Sequence, residues 1–177
     1  ASHDGVSSRR FYMNDGQVNI SSGWKGIRCL YGDWSIPNVW EKPAQEAMIV
    51  IAGGRLSINA NTTGISTNGQ MTFKDCQLNI KAAEIGISGV PMDEAISITN
   101  ADVNISGIPA IFLTSIEDCS LAADDVIKID PNLAASVGMQ PIRYKFDLYD
   151  GNKLVCENYT YYTLMEPNSP TYYKGQF

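Results

Sequence analysis

Short runs of alternating apolar and polar residues recur along the first 130 residues of the chain. Five ten-residue segments align without gaps: apolar residues at the first and third places (Thr114 excepted), a polar or glycine-rich turn, then apolar residues at offsets seven and nine. The segments are FYMNDGQVNI from Phe11, IVIAGGRLSI from Ile49, MTFKDCQLNI from Met71, ISITNADVNI from Ile96 and FLTSIEDCSL from Phe112. Period-2 alternation is typical of strands with one buried face. Each segment therefore predicts two short strands joined by a turn.

A Gly-Ile pair follows three of these segments at a constant distance. Ile27, Ile65 and Ile87 each lie 9 residues after the first apolar residue of the second strand (27−18, 65−56 and 87−78). In the fourth copy the nearest pair, Gly107-Ile108, comes early, which predicts a shortened corner. In the fifth copy the nearest equivalent of the pair is Val126-Ile127. The segments start 38, 22, 25 and 16 residues apart, so the strands are constant and the connections vary.

Constant strands with variable connections are typical of stacked coils, in which each coil adds short strands to parallel sheets. The pattern predicts an all-β parallel solenoid of about five coils in residues 1–130. Helices are disfavoured because glycine and β-branched residues recur densely and no apolar stripe of helical period persists. A β-sandwich is the rival fold, but it does not explain repetition without gaps.

The repeat ends near Asp130. NLAASVGM predicts a short helical turn, and the alternating residues Ile142, Tyr144, Phe146 and Leu148 lead into Asp150-Gly151, a favoured two-residue hairpin turn. Because an uncovered terminal strand invites edge pairing, residues 131–177 are interpreted as a C-terminal β-hairpin cap and tail. A strand pair packed on one sheet, a second binding module and an anchor to a larger assembly are the alternatives.

Composition excludes several classes of function. The 177 residues carry a net charge of −6, which argues against a nucleic-acid partner. The single histidine, His3, argues against a Ser-His-Asp triad, a histidine-ligated zinc and an H-E-x-x-H protease. No apolar run of about 18 residues is present, so no membrane span is expected. The four cysteines form no C-x-x-C pair and are interpreted as small buried hydrophobes, with one disulfide as the alternative.

Two groups of side chains are candidate ligand contacts. Stacking the segments gives an outward column on the second strand, which could bind sugar hydroxyls because amides and hydroxyls both donate and accept hydrogen bonds. The alternatives are a solvated strand face or a ladder of mutually bonded side chains. This column consists of Asn19, Ser57, Asn79, Asn104 and Ser120. A turn column of Asp15, Asp75 and Asn100 is interpreted as turn-forming rather than as a calcium site.

The second group is aromatic. A loop inserted at residues 28–47 holds Tyr31, Trp34 and Trp40, and Trp24 lies just before the first Gly-Ile pair. Exposed rings would stack on sugar faces, whereas packed rings would cover the end or flank of the coils. Large loops often carry function, which makes this insertion the best candidate binding platform.

The sequence pattern of IVIAGGRLSINANTTGIST and MTFKDCQLNIKAAEIGISG resembles that of the bacterial carbohydrate-binding β-helix domain family. More broadly, it is similar to that of pectate-lyase-like parallel β-helices. The resemblance covers about residues 8–130 and implies a right-handed parallel β-helix and a secreted or cell-surface location. Members of that family often carry Asp before the Gly-Ile pair, where it helps to bind calcium. Here Lys25, Thr63 and Ile85 stand at those positions, so no calcium or other cofactor is expected.

Three functions follow, in decreasing order of preference. The first, implied by the resemblance, is a non-catalytic extracellular carbohydrate-binding or adhesin-like protein that contacts a polysaccharide or surface glycan. The second is a structural or protein-interaction module of a bacterial surface assembly. The third is a polysaccharide lyase or hydrolase remnant, for which Lys25, Arg28 and Asp33 are the only close charged group. No catalytic or metal-binding residue is assigned.

Overall fold

The computed structural model describes residues 3–32, 42–107, 109–115, 119–133 and 140–165, most of them in short strands. The elements in chain order are β1 (Val6–Ser8), β2 (Arg10–Met13), β3 (Gln17–Ser22), β4 (Ile27–Cys29), β5 (Met48–Ile51), β6 (Arg55–Ala60), β7 (Ile65–Thr67), β8 (Gln70–Lys74), β9 (Gln77–Ala82), β10 (Ile87–Gly89), β11 (Ile96–Thr99), β12 (Asp102–Ser106), β13 (Ile111–Ser115), α1 (Ala123–Val126), β14 (Ile127–Ile129), β15 (Gln140–Asp150) and β16 (Lys153–Met165).

The strands form three sheets, and up to β14 every third strand returns to the same sheet. Sheet A has the order β1-β4-β7-β10-β13-β16-β15, sheet B the order β14-β11-β8-β5-β2, and sheet C the order β12-β9-β6-β3. All pairings up to β14 are parallel, and sheet A ends in an antiparallel hairpin. The prediction of an all-β chain with parallel sheets is confirmed.

Columns of identical or similar apolar residues hold neighbouring strands in register. In sheet A, Ile27 pairs with Ile65, Ile65 with Ile87, and Ile87 with Ile111, and all four side chains are fully buried. Burying one such side chain contributes roughly 1.5–3 kcal/mol. Strands of three residues are too short to be stable alone, so this inward packing and the backbone bonds to both neighbours stabilise them together. Inward residues of all three sheets form one hydrophobic core.

Close packing at the corner before sheet A explains the recurring Gly-Ile pair. A Cβ atom on Gly26 would collide with Ile58 Cγ2 and with the carbonyl oxygen of Gly64, and one on Gly64 would collide with Ile80 Cγ2. Gly5 and Gly86 meet the same obstacles in their own coils. Glycine is therefore required here for space. Gly5 also marks an earlier copy of the pair, Gly5-Val6, which the repeat analysis missed.

The alignment predicts that the fifth segment lies beside the fourth, and this prediction is wrong. Phe112 lies in β13, which pairs with β10 in sheet A, whereas β14 pairs with β11 and puts Ile127 beside Ile96. The residues at the Gly-Ile position are likewise Ala110-Ile111, since Gly86 and Ile87 donate to the carbonyls of Pro109 and Ala110, and the predicted Gly107 is not used. Alternation alone cannot separate the sheets because every strand of the stack has the same period.

The C-terminal hairpin extends sheet A. β16 pairs antiparallel with β13 on one side and with β15 on the other. Asp150 pairs with Lys153, so the turn residues are Gly151 and Asn152, one position later than predicted, and Gly151 has the positive φ of 60° that such a turn requires. The predicted helical turn begins with helical residues 131–133; its remainder lies outside the described residues.

Cys29 and Cys76 are buried, which agrees with their interpretation as small buried hydrophobes. Cys119 and Cys156 are only half-buried, so they are more exposed than that interpretation predicts. Within the described part of the chain, no helix has the length and apolar character needed to cross a membrane.

Candidate functional site

The outer face of sheet C carries the predicted polar column. Asn19 pairs with Ser57, Ser57 with Asn79, and Asn79 with Asn104, so four side chains lie side by side across four strands. They face outward because their strand neighbours Leu56, Leu78 and their counterparts face the core. Ser120, the predicted fifth member, lies in no strand and does not extend the column.

A shallow groove of about 520 Å³ runs over this column. Asparagines and serines make up most of its lining residues and Lys81 is its one charged residue among those described, but apolar atoms provide most of the exposed lining surface. The residues along it are Asn19, Ile20, Ser21, Ser57, Ile58, Asn59, Asn79, Ile80, Lys81, Asn104 and Ser106. Asparagine presents two donors and an acceptor, and serine presents one donor and two lone pairs. The groove therefore suits a ligand rich in hydroxyl groups.

Two side chains that precede the column on β6 and β9, Arg55 and Gln77, bond to each other. Arg55 Nε donates to Gln77 Oε1 across 2.8 Å, which joins β6 to β9 at the start of both strands. These two residues do not line the groove. On this polar face, Arg55 and Gln77 bond to each other, whereas the asparagine and serine column faces solvent.

Trp24 lies at the corner between β3 and β4, in a cationic cluster outside the groove. Its side chain is 44% exposed, with Lys25 Nζ 5.4 Å and Arg28 Cζ 5.6 Å from the ring centroid. Arg28 Nε pairs with Asp4 Oδ2 at 2.8 Å, and Lys25 Nζ donates to Ser66 Oγ at 3.3 Å. Partial burial lowers the pKa of Lys25, the Arg28 charge lowers it further, and Asp4 opposes both.

Tyr31 lies beyond the other end of β4 and also outside the groove. Its side chain is 38% exposed, and Arg9 Cζ lies 3.9 Å from the ring centroid, a cation–π contact. The structure therefore separates Tyr31 and Trp24 from the asparagine column instead of combining them in one surface. Trp34 and Trp40, and with them Asp33 of the charged group, lie outside the described residues.

Asn68 holds the two ends of the aromatic insertion together, a role that the sequence did not reveal. Its side chain is 1% exposed: Oδ1 accepts from the Tyr31 N–H at 3.1 Å, and Nδ2 donates to the carbonyls of Tyr31 at 2.7 Å and Lys42 at 3.1 Å. The Asn68 carbonyl also accepts from the Ala44 N–H at 2.7 Å. No local motif marks such a residue, because its partners are 26 and 37 positions away.

The predicted turn column consists of turn residues. Asp75 and Asn100 have positive φ of 51° and 47°, a conformation that Asn and Asp adopt more readily than most residues. Asn100 Nδ2 donates to Asp75 Oδ1 at 2.6 Å, and Asp15 Oδ1 accepts from the Gly16 N–H. Among the described residues, no group of three or more His, Cys, Asp or Glu side chains could hold a metal ion.

Comparison of the chain with family models, curated proteins and solved structures found no match. The functional argument therefore depends on the geometry of the site.

Proposed function

We propose that this chain is a non-catalytic extracellular protein that binds carbohydrate, as a glycan receptor or adhesin, through the groove on sheet C. The proposed framework is a right-handed parallel β-helix of about five coils with the C-terminal hairpin as its cap. The return of every third strand to the same sheet supports this framework. The secreted or cell-surface location belongs to the same proposal.

The observation that carries the proposal is the register of Asn19, Ser57, Asn79 and Asn104 in one open groove. Adjacent strands are about 4.7–4.9 Å apart, so the column offers hydrogen-bonding groups at a regular interval along the stack. A glycan offers hydroxyl groups repeatedly along its length. Each pairing replaces hydrogen bonds to water, so single contacts contribute little and the column as a whole determines affinity.

Trp24 is proposed as a secondary contact. Its ring is exposed at a corner next to β3, the strand that carries Asn19, and a pyranose ring could stack on it. The aromatic residues of the insertion that are proposed to contact the glycan remain Tyr31, Trp34 and Trp40.

A glycan array probed with the full chain tests the proposal, followed by titration of the best ligand. We expect Asn79→Ala and Asn104→Ala each to weaken binding by roughly 2- to 10-fold, since a net hydrogen bond contributes about 0.5–1.5 kcal/mol. Asn14→Ala is the matched control: Asn14 is an exposed asparagine outside the groove and should leave affinity unchanged. Trp24→Ala measures the aromatic contribution separately.

Binding that is equal in Asn79→Ala, Asn104→Ala and the parent would refute the groove as the site. Loss of binding in Trp24→Ala alone would place the ligand at the corner between β3 and β4 instead of in the groove. Release of reducing or unsaturated ends from a bound polysaccharide would contradict the non-catalytic assignment.

A second candidate, a structural or protein-interaction module, is favoured by a different observation. Exposed apolar side chains gather on the C-terminal hairpin, far along the chain from the groove residues. A surface of this kind is typical of protein interfaces.

A further inference from the structure

The hairpin of β15 and β16 carries most of the exposed large hydrophobic residues among the residues that the structure describes. Four of the seven exposed large hydrophobic residues lie there: Phe146, Tyr149, Leu154 and Val155. Phe146 also continues a row of ring contacts on one face, lying 5.4 Å from Tyr159 and 5.8 Å from Tyr161 between ring centroids. Exposed apolar patches can mark interaction sites.

The same hairpin has an unpaired edge. β15 is the last strand of sheet A, and along its 11 residues no described strand pairs with its outer side. Such an edge presents a row of backbone donors and acceptors that another strand can complete. Pro141, which lacks an N–H, stands near the start of β15 and leaves the segment from Ile142 onward without a further proline.

The sequence of β15 is complementary to itself when read antiparallel. With Phe146 opposite Phe146 of a second copy, Lys145 lies opposite Asp147 of that copy, and the same ion pair occurs twice by symmetry. Residues 145 and 147 alternate with Phe146 along the strand, so the charges and the aromatic pair use different faces. Opposite charges and aromatic pairs are both favourable when they lie directly across two strands.

We propose that two copies of this chain associate through antiparallel pairing of their β15 strands, with a two-fold axis at Phe146. Sheet A then continues from one copy into the other. The register shift between Phe146 and Leu148 puts one extra residue of β16 opposite Asp147, so β15 itself stays regular there, and Asp147 Oδ1 accepts from the Asn158 N–H at 3.0 Å. An ion pair to Lys145 of the second copy requires only the other carboxylate oxygen. This association is independent of glycan binding, because sheet C lies outside the interface.

Charge reversal and mixing test the proposal. The parent should sediment as a dimer in analytical ultracentrifugation. Lys145→Glu places like charges opposite each other twice and should raise the dimer dissociation constant by on the order of tenfold, and Asp147→Lys should do the same. An equimolar mixture of the two variants should dimerise again, because every cross-strand pair then combines opposite charges. Circular dichroism of each variant alone establishes that it folds.

Four results would overturn the proposal. These are a monomeric parent, variants that dimerise as well as the parent, a mixture that does not dimerise while both variants are folded, and β15 amides that exchange equally fast in monomer and dimer. If the parent is monomeric and its β15 amides are nevertheless protected from hydrogen exchange, another segment of the same chain covers the edge.

Discussion

Tyr162 is an example of a polar side chain buried at a structural junction. It is fully buried in β16, and its hydroxyl donates to the Leu121 carbonyl at 2.9 Å, which connects the hairpin to the chain before α1. Burial raises the pKa of this hydroxyl, Cys119 raises it further, and the charge of Arg143 opposes both. Arg143 itself donates to the Cys119 and Leu121 carbonyls, so the hairpin is held at this point by two side chains.

Replacing this hydroxyl should change both stability and its pH dependence. We expect Tyr162→Phe to lower the free energy of unfolding by about 1 kcal/mol near neutral pH, since a carbonyl loses its donor. In the parent, the raised pKa keeps the proton in the folded state while the unfolded tyrosine loses it above about pH 10, so stability falls as pH rises through that range. This component should be missing from the variant.

Urea unfolding at about pH 8 and about pH 11 measures the effect. Tyr12→Phe, at an exposed tyrosine, is the control and should keep the alkaline loss of the parent. An alkaline loss that is the same in Tyr162→Phe as in the parent would show that Tyr162 does not cause it.

Among the elements, the described ends of the aromatic insertion are joined by a residue that is distant in sequence. Its two ends are joined by the side chain of Asn68, which follows β7 and reaches Tyr31 and Lys42. The insertion is thus attached to the strand of the next coil. The hairpin differs, because β16 is attached by a ladder of backbone pairs to β13 in addition to its side chains.

Removing the Asn68 amide should release this attachment. We expect Asn68→Ala to cost about 2–3 kcal/mol, because three part-buried hydrogen bonds to the backbone of Tyr31 and Lys42 are lost. Hydrogen exchange should accelerate most at the amide of Tyr31, with chemical denaturation giving the change in stability. Asn61→Ala, at an exposed turn asparagine, is the matched control and should change neither quantity. Unchanged exchange at Tyr31 in Asn68→Ala would contradict the assigned role.

At the scale of the whole molecule, each described strand up to β12 pairs only with the strands one repeat before and after it in its own sheet. Stability in such stacks is approximately a sum of coil and neighbour contributions. The same local defect should therefore cost more in the middle of the stack than at its end. The glycine corner allows this comparison, since Gly5 and Gly64 have equivalent surroundings at different depths.

We expect Gly64→Ala to destabilise the chain by about 1–3 kcal/mol, the usual cost of overpacking, because the new methyl group meets Ile80 and the Gly86 carbonyl between two coils. Gly5→Ala should cost less, because β1 has a strand on one side only and can move away. Gly151→Asn is the control: this turn glycine has φ of 60° and open space, which asparagine tolerates. Thermal unfolding of the three variants ranks them, and equal losses at Gly5 and Gly64 would contradict the nearest-neighbour account.

The residues of the candidate site were predictable to the extent that they repeat. Asn19, Asn79 and Asn104 occupy one offset in successive copies, and the structure places them in one column. Trp24 and Tyr31 occupy no repeated offset, and they lie apart from the column beside Arg28 and Arg9. Arg9 is remote in sequence from Tyr31, so no local pattern predicts their contact, whereas Lys25 and Arg28 are near Trp24 in sequence but belong to no repeated pattern.

For the first four segments, the sequence by itself determined which residues face inward, that the strands are short, and that glycine precedes β4, β7 and β10 at a fixed interval. Those features follow from the period of two along a strand and from the lack of space at a repeated corner. Only the tertiary structure decided that β13 joins β10 rather than β11, that Asn68 joins Tyr31 to Lys42, and that no described strand pairs with the outer side of β15. These outcomes depend on which strands are adjacent in space, and adjacency is set by the packing of the whole stack rather than by the residues of any one strand.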